Sequence, residues 1–394
     1  MRKGLFLFTL LVLGWTLLFA QTARIQFLFT SDVHYGLIRT TPFHGHTNVE
    51  ANIVNAAMVA QINHIPEAVF PKDGGNGADS LVGSFDFVAV GGDITNRQEI
   101  ADGNQIQSAA ASWAQFKNGF MDGVKLHDGR GAKTPVYVVP GNHDVANAIG
   151  YYKPMMPSID KTSMVEIYNL MMRPAMPKTP ATYEYRGDRM NTSRDIGGMH
   201  FVFITMWPDS SVRAWMESDL KSVSADTPVI IFAHAPPDGD PVQFINPNGK
   251  HDINGQDQFE NLLSDVFADG TGAGKSAMPQ PLIEQRALEA FVAKHPNITA
   301  YFHGHNNWNQ FYDWTGPDHS VVLHTFRADS PMKGRFSSPD ETKLSLQIAT
   351  IDVPSRTMTV REILWNPRPN TPDSTFAWGA STTVALAPRP LARQ

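Results

Sequence analysis

Short apolar runs rich in Val, Ile and Phe recur along the chain, each ending in polar residues. They are Ile25 to Thr30, Phe85 to Val90, Val136 to Val139, Phe201 to Thr205, Val229 to Ala233 and Ile298 to Phe302. Unbroken runs of this length predict strands buried on both faces. Helical stripes lie between several of them. Val49, Ile53, Ala57 and Ala60 share one face of a helix predicted over Val49 to Ile62, and Thr47-x-x-Glu50 reads as a capping box at its start. Val212, Trp215, Met216 and Leu220 form a second stripe, and Leu282 to Ala293 supplies a third. Alternating strands and helices predict an α/β layered fold.

Later the pattern turns antiparallel. Leu344 to Val353 and Thr357 to Leu364 flank Pro354-Ser355-Arg356, a hairpin signal. Trp308 to Phe326 reads as antiparallel strands around a Gly316-Pro317 turn. Together these predict a second, more antiparallel sheet in the C-terminal third. Loops near 66–84, 150–196 and 235–258 are long, and long loops in a compact domain are functional or disordered. The expected organisation is one domain over 21–365 carrying those insertions, then a Pro-rich surface tail over 366–394.

The first twenty residues form a separate object. Arg2 and Lys3 precede an apolar stretch, Gly4 to Phe19, and Leu18-Phe19-Ala20 reads as a cleavage site. The stretch falls short of the ~20 residues that span a bilayer, so it reads as a secretory signal peptide cleaved near Ala20 rather than an uncleaved anchor. Nothing later is apolar for long enough to span. The expectation is an exported chain, periplasmic or secreted.

Composition narrows the chemistry. Among 394 residues there is no cysteine, which excludes disulfides, Cys-held zinc, iron–sulfur clusters and a thiol nucleophile. Any metal must be held by His, Asp, Glu or Asn, and 14 His are available. The net charge of −6 carries no basic footprint, so nucleic-acid binding is not expected. Oligomeric state is open. Asn191 and Asn297 open glycosylation triplets, a signal that two chance triplets would also produce.

The residues that end the strands carry the chemistry. Asp32-Val33-His34 follows the first run, Gly91-Gly92-Asp93 the second and Gly141-Asn142-His143-Asp144 the third. His234 follows the fifth, and Gly304-His305-Asn306-Asn307 the sixth. Each alone has a bland reading: a strand-to-loop turn, a helix cap, a satisfied histidine. Ligands of open α/β sheets bind beyond the carboxyl ends of strands, however. Five strand ends delivering imidazole, carboxylate and amide oxygen to one rim outline a metal site.

The ordered set Asp-x-His, Gly-Gly-Asp, Gly-Asn-His-Asp, His and Gly-His-x-Asn resembles the calcineurin-like metallophosphoesterases, over about residues 24 to 310. The resemblance implies a four-layer α/β/β/α sandwich of two mixed sheets, with two metal ions (Mn, Fe or Zn) at the strand ends. It implies that Asp32 and His34 hold the first metal, Asp93 bridges both, and Asn142, His234 and His305 hold the second. A hydroxide between the ions would attack a phosphate ester. By the same resemblance His143 sits over the substrate as a catalytic group, oriented by Asp144. Asn307 stands where most relatives have a His that completes the first site; its amide oxygen can still ligate, and His303 is a lesser candidate. Arg97, four residues after Asp93, matches a phosphate-binding Arg of the Ser/Thr phosphatases. No Tyr follows Asp93, so no iron–tyrosinate colour is expected. The implied function is hydrolysis of a phosphate-ester substrate, either a monoester or a nucleotide or lipid head-group diester. A metal-binding protein with a degenerate site is the reading from another class.

Overall fold

A computed structural model describes residues 24–99, 105–145, 161–184, 187–239, 282–371 and 375–387. The signal-peptide segment and most of the 235–258 loop lie outside the described residues. The first half runs β1 (Arg24–Thr30), β2 (Ile38–Arg39), β3 (Val49–Glu50), α1 (Ala51–His64), β4 (Phe87–Val90), β5 (Gln98–Glu99), β6 (Gln105–Gln107), α2 (Ala109–Gln115), β7 (Val136–Val138) and α3 (Asn142–Val145). Next come α4 (Thr162–Met172), β8 (Thr192–Ile196), β9 (Met199–Phe203), α5 (Ser210–Asp219), β10 (Val229–Phe232), α6 (Leu282–Lys294) and β11 (Ile298–His303). The chain closes with β12 (Gln310–Trp314), β13 (Leu323–Arg327), β14 (Ser345–Asp352), β15 (Thr357–Leu364) and β16 (Ala377–Ala385).

Two six-stranded mixed sheets result, ordered β16-β15-β14-β1-β4-β7 and β12-β13-β11-β10-β9-β8. β1, β4 and β7 are parallel, as are β9, β10, β11 and β13; the remaining pairings are antiparallel. The sheets face one another through phenylalanines. Phe27 stacks on Phe87 at 4.7 Å and meets Phe201, Phe232 and Phe302 edge-on at 5.9, 5.5 and 5.2 Å. Each such buried ring contributes roughly 1.5–3 kcal/mol. Strand alternation sorts the second sheet. Phe201, Phe203, Ile230, Phe232, Ala300 and Phe302 join the core between the sheets. Val202, Ile204, Val229, Ile231 and Tyr301 instead join a second core with Val212 and Met216 of α5 and Leu288 and Val292 of α6. On the far side, α1 packs on the first sheet, where Thr30 Oγ1 meets Met58 Sδ at 3.8 Å. This is the four-layer α/β/β/α sandwich.

The structure corrects several expectations. β12–β13 and the β14–β15 hairpin form as predicted, but they build no sheet of their own. β14 to β16 extend the first sheet through β1, and β12–β13 extend the second through β11, which satisfies edges that would otherwise be bare. The tail over 366–394 contains β16, paired antiparallel with β15. The helix expected from Val49 starts at Ala51, because Val49 and Glu50 pair with Arg39 and Ile38. Glu50 is the N-cap, with no side-chain capping bond. The buried face of α1 is therefore Ala51, Val54, Asn55, Met58, Val59 and Ile62, and Ile53 is 54% exposed. Among the described residues no helix is long and apolar enough to cross a membrane.

Candidate metal centre

Because the central strands of both sheets are parallel, their carboxyl ends share a rim. The segments leaving β1 and β4 run side by side there: Asp32 N donates to Gly92 O (3.0 Å), His34 N to Asp93 O (3.0 Å) and Tyr35 N to Ile94 O (2.9 Å). Asp32, His34, Asp93, His305 and Asn307 all adopt positive φ, from 43° to 68°. Such backbone costs ~1–3 kcal/mol per residue and clusters at functional sites. Asp, Asn and His tolerate it best. Gly92, at φ 100°, has no substitute: a Cβ there would lie 2.5 Å from His234 Nδ1.

Two groups of ligand atoms converge on Asp93. The first is Asp93 with His34 and His143. His34 Nε2 lies 3.8 Å from Asp32 Oδ1 and 3.7 Å from Asp93 Oδ2. Asp32 Oδ1 and His34 Nε2 are buried with no hydrogen-bond partner. Asp32 Oδ2, by contrast, accepts from Ser31 Oγ (2.6 Å) and His305 N (3.0 Å), which fixes the carboxylate. The Nδ1–H of His34 donates to Asn96 Oδ1 (2.8 Å), so its Nε2 presents a lone pair. A buried lone pair facing buried carboxylate oxygens is repulsive unless a cation lies among them.

The second group is Asp93 with His234 and His305. The Nδ1–H of His234 donates to Gly91 O (2.8 Å), leaving a lone pair on Nε2. That atom lies 3.0 Å from Asn142 Oδ1, 3.1 Å from His305 Nδ1 and 3.5 Å from Asp93 Oδ1. His305 Nδ1 is also 3.0 Å from Asn142 Oδ1. Lone pairs again converge, and a metal ion satisfies them. Both groups therefore fit metal, with Asp93 offering one oxygen to each.

Charge agrees with this reading. Burial, against the pull of His234, pushes Asp32 up to about 6. Burial also holds His34, His143 and His305 well below the ordinary imidazole value. Burial lowers His234 too, but the carboxylates of Asp93 and Asp32 outweigh it and the net shift is upward. Neutral His34 and His305 keep lone pairs that a metal ion can take, and the raised His234 reflects the carboxylates of Asp93 and Asp32 favouring a cation beside them.

Asn96 and Asp144 exchange the roles expected of them. Asp144 does not hold the His143 ring. Its carboxylate accepts from Ile94 N (3.0 Å), Thr95 N (3.1 Å) and Gly141 N (2.9 Å), tying the segment after β4 to the one after β7. Burial and the charge of Asp93 push it up to about 7. The ring partner is Asn96, whose Nδ2 donates to His143 Nδ1 (2.7 Å) while its Oδ1 serves His34. One fully buried amide thus orients a candidate ligand and a candidate catalytic group. Asp93 Oδ1 accepts from His143 N (2.8 Å), which anchors α3.

The remaining candidates divide. Asn307 donates from Nδ2 to His305 O (3.0 Å), and its Oδ1 is buried without a partner, as a ligand oxygen would be. His303 is withdrawn from the site: Nδ1–H donates to Gly304 O (2.9 Å) and Nε2 accepts from Tyr312 (2.9 Å). Arg97 is half-buried directly after Asn96. Both glycosylation asparagines are buried, with Asn191 Oδ1 accepting from Thr205 N and Asn297 Nδ2 donating to Thr227 O. Sequence reasoning missed Lys333, whose Nζ lies 3.2 Å from His143 Nε2. Lys333 follows β13, which is antiparallel to β12 but parallel to β11, so the carboxyl end of β13 reaches the same rim.

The profile of the calcineurin-like phosphoesterases matches residues 25–309. The chain belongs to that family, whose members hydrolyse phosphoric esters. Comparison with curated protein sequences finds no significant match. Among solved structures, a dimetal phosphatase from Danio rerio is similar at 11% identity and TM-score 0.48, over 86% of this chain and 95% of that one. A Vps29 mutant from Entamoeba histolytica is similar at 9% identity and TM-score 0.31, over 91% and 99%. A phosphopantetheinyl hydrolase from Mycobacterium tuberculosis is similar at 13% identity and TM-score 0.32, over 78% and 91%.

Proposed function

We propose that the protein is an exported phosphoesterase that cleaves a P–O bond at a two-metal centre. In this reading Asp32, His34, Asp93 and Asn307 hold one ion, and Asp93, Asn142, His234 and His305 hold the other. The observation that carries it is the convergence on Asp93 of the buried, unpartnered Asp32 Oδ1 and His34 Nε2 on one side and of His234, His305 and Asn142 on the other. Metal ions held there would supply Lewis acidity to a phosphoryl group and would lower the pKa of bound water.

The chain's own residues do the rest. Asn96 holds His143 with Nδ1 as acceptor, so its proton is on Nε2. Burial keeps that imidazole neutral. A neutral imidazole is a poor acid but a good hydrogen-bond donor, so His143 stabilises charge developing on the phosphoryl group. Arg97 remains a candidate for a phosphate oxygen, since a guanidinium fork suits it.

The test uses protein cut at the proposed signal site and supplied with manganese. One arm takes p-nitrophenyl phosphate, the other its bis ester, with Asp93→Asn as the blank. Turnover lost in Asp93→Asn, with an unchanged circular dichroism spectrum, supports the reading. Metal uptake with no turnover in either arm would make it a binding protein. Export is checked by sequencing the mature N-terminus; a chain still starting at Met1 in the cytoplasmic fraction refutes it.

A further inference from the structure

His143 and Lys333 face each other in a way that neither satisfies alone. With Asn96 Nδ2 donating to His143 Nδ1, the Nε2 of that ring carries a proton. The ammonium of Lys333 also carries only protons, yet it sits 3.2 Å from that same Nε2. Among the described residues no acceptor lies within hydrogen-bond distance of both; the nearest carboxylate oxygen to His143 Nε2, Asp93 Oδ2, is 3.9 Å away. An oxygen of an anion would accept from both.

The loop that brings Lys333 there is firmly held. Ser330 Oγ donates to Asp32 O (2.9 Å) and accepts from Met332 N and Lys333 N (3.2 and 3.0 Å). Arg335 N donates to Asn307 O (2.6 Å). Both ends of the turn are thus tied to backbone of candidate ligands. Underneath, the fully buried Arg39 of β2 donates from Nη1 to Pro331 O (2.8 Å) and from Nη2 to Ser337 O (2.6 Å), one on each side of Lys333. Gly334 lets the loop close, since a Cβ there would lie 1.8 Å from Ser337 Oγ and 2.4 Å from Asp329 Oδ1.

We infer that Lys333 and the Nε2–H of His143 form a binding subsite for a phosphoryl oxygen, and that this subsite favours phosphate monoesters over diesters. A monoester is a dianion at neutral pH with an additional non-ester oxygen for the ammonium, whereas a diester is a monoanion. Arg39 is a positioning residue for the loop. The inference rests on the phosphoesterase reading above.

The test compares wild type, Lys333→Met and Lys333→Arg, each loaded with manganese and checked for equal metal content and melting temperature. Loss of a charge-assisted hydrogen bond should cost roughly 10–100-fold in kcat/KM for p-nitrophenyl phosphate. The bis ester should lose less than about 5-fold by the same reasoning. Affinity for inorganic phosphate, read by calorimetry, should fall in parallel with the monoester, and Lys333→Arg should recover part of it. Equal losses on both esters would overturn the monoester preference. Unchanged phosphate affinity in Lys333→Met, or tighter metal binding as its sole effect, would show that the ammonium only fills space near the centre. Wild type that takes up metal yet neither binds phosphate nor turns over would overturn this inference and the proposed function together.

Discussion

Asn96→Ala isolates the claim that one amide sets the protons of two histidines. The side chain is fully buried and makes two short hydrogen bonds, 2.8 Å to His34 Nδ1 and 2.7 Å to His143 Nδ1. Truncation leaves both ring nitrogens buried and unpaired, at ~1–3 kcal/mol for each group. Water entering the vacated space recovers some of this, so the expected loss of stability is ~2–4 kcal/mol. His34 also loses the partner that keeps its proton on Nδ1, and removal of such a partner costs about 10–100-fold in metal affinity. The assay pairs denaturant unfolding of the metal-free protein with a manganese titration against a competing chelator. Asn96→Asp is the discriminating variant. It still accepts from His34, so metal affinity should hold. It also offers an acceptor to His143 Nδ1, which moves the proton off Nε2 and should lower turnover. Nitrogen NMR of the His143 ring would show the tautomer change. If Asn96→Ala binds metal within two-fold of wild type, or if Asn96→Asp leaves the His143 tautomer unchanged, the proton assignment is wrong.

Asn307→His should tighten the first metal position by replacing an unpartnered amide oxygen with a more basic imidazole; unchanged metal affinity would count against Asn307 as a ligand. His200 bonds Asp195 at 2.7 Å and Asp219 at 2.8 Å, well away from the strand ends. Burial opposes its protonation, but the two carboxylates win and raise its pKa. A raised histidine contributes stability fully below its unfolded value near 6.5 and loses it as pH climbs through the folded value. His200→Gln should therefore cost ~1–2 kcal/mol at pH 6 and less as the pH rises; a gap that widens with pH would refute the sign.

Which residues would carry chemistry was largely legible along the chain, because a strand buried on both faces must be continuously apolar and must end where polar groups begin. That rule located Asp32, His34, Asp93, Asn142, His143, His234 and His305, and the structure brings these seven together. It failed where the same residue type could serve two geometries. Asp144 and Asn96 are both polar residues just past a strand, and only the crossing of the two segments assigns Asp144 to backbone N–H groups and Asn96 to the rings. Residues 366–394 looked like a tail because proline is frequent there, yet β15 offered an edge that Ala377 to Ala385 could pair with. Lys333 was invisible for a related reason. A strand's direction is read in sequence only against its neighbour in the chain, and β13's chain neighbour is antiparallel. Its partner on the other side, β11, is parallel but is not its chain neighbour, since β12 intervenes, and that pairing delivers the loop to the rim. Sequence by itself determined most of the strands and the polar residues that end them, because these follow from local periodicity and side-chain chemistry. The tertiary structure alone decided which polar group faces each ring nitrogen and which lysine reaches the centre, because both depend on partners that folding brings together from far along the chain.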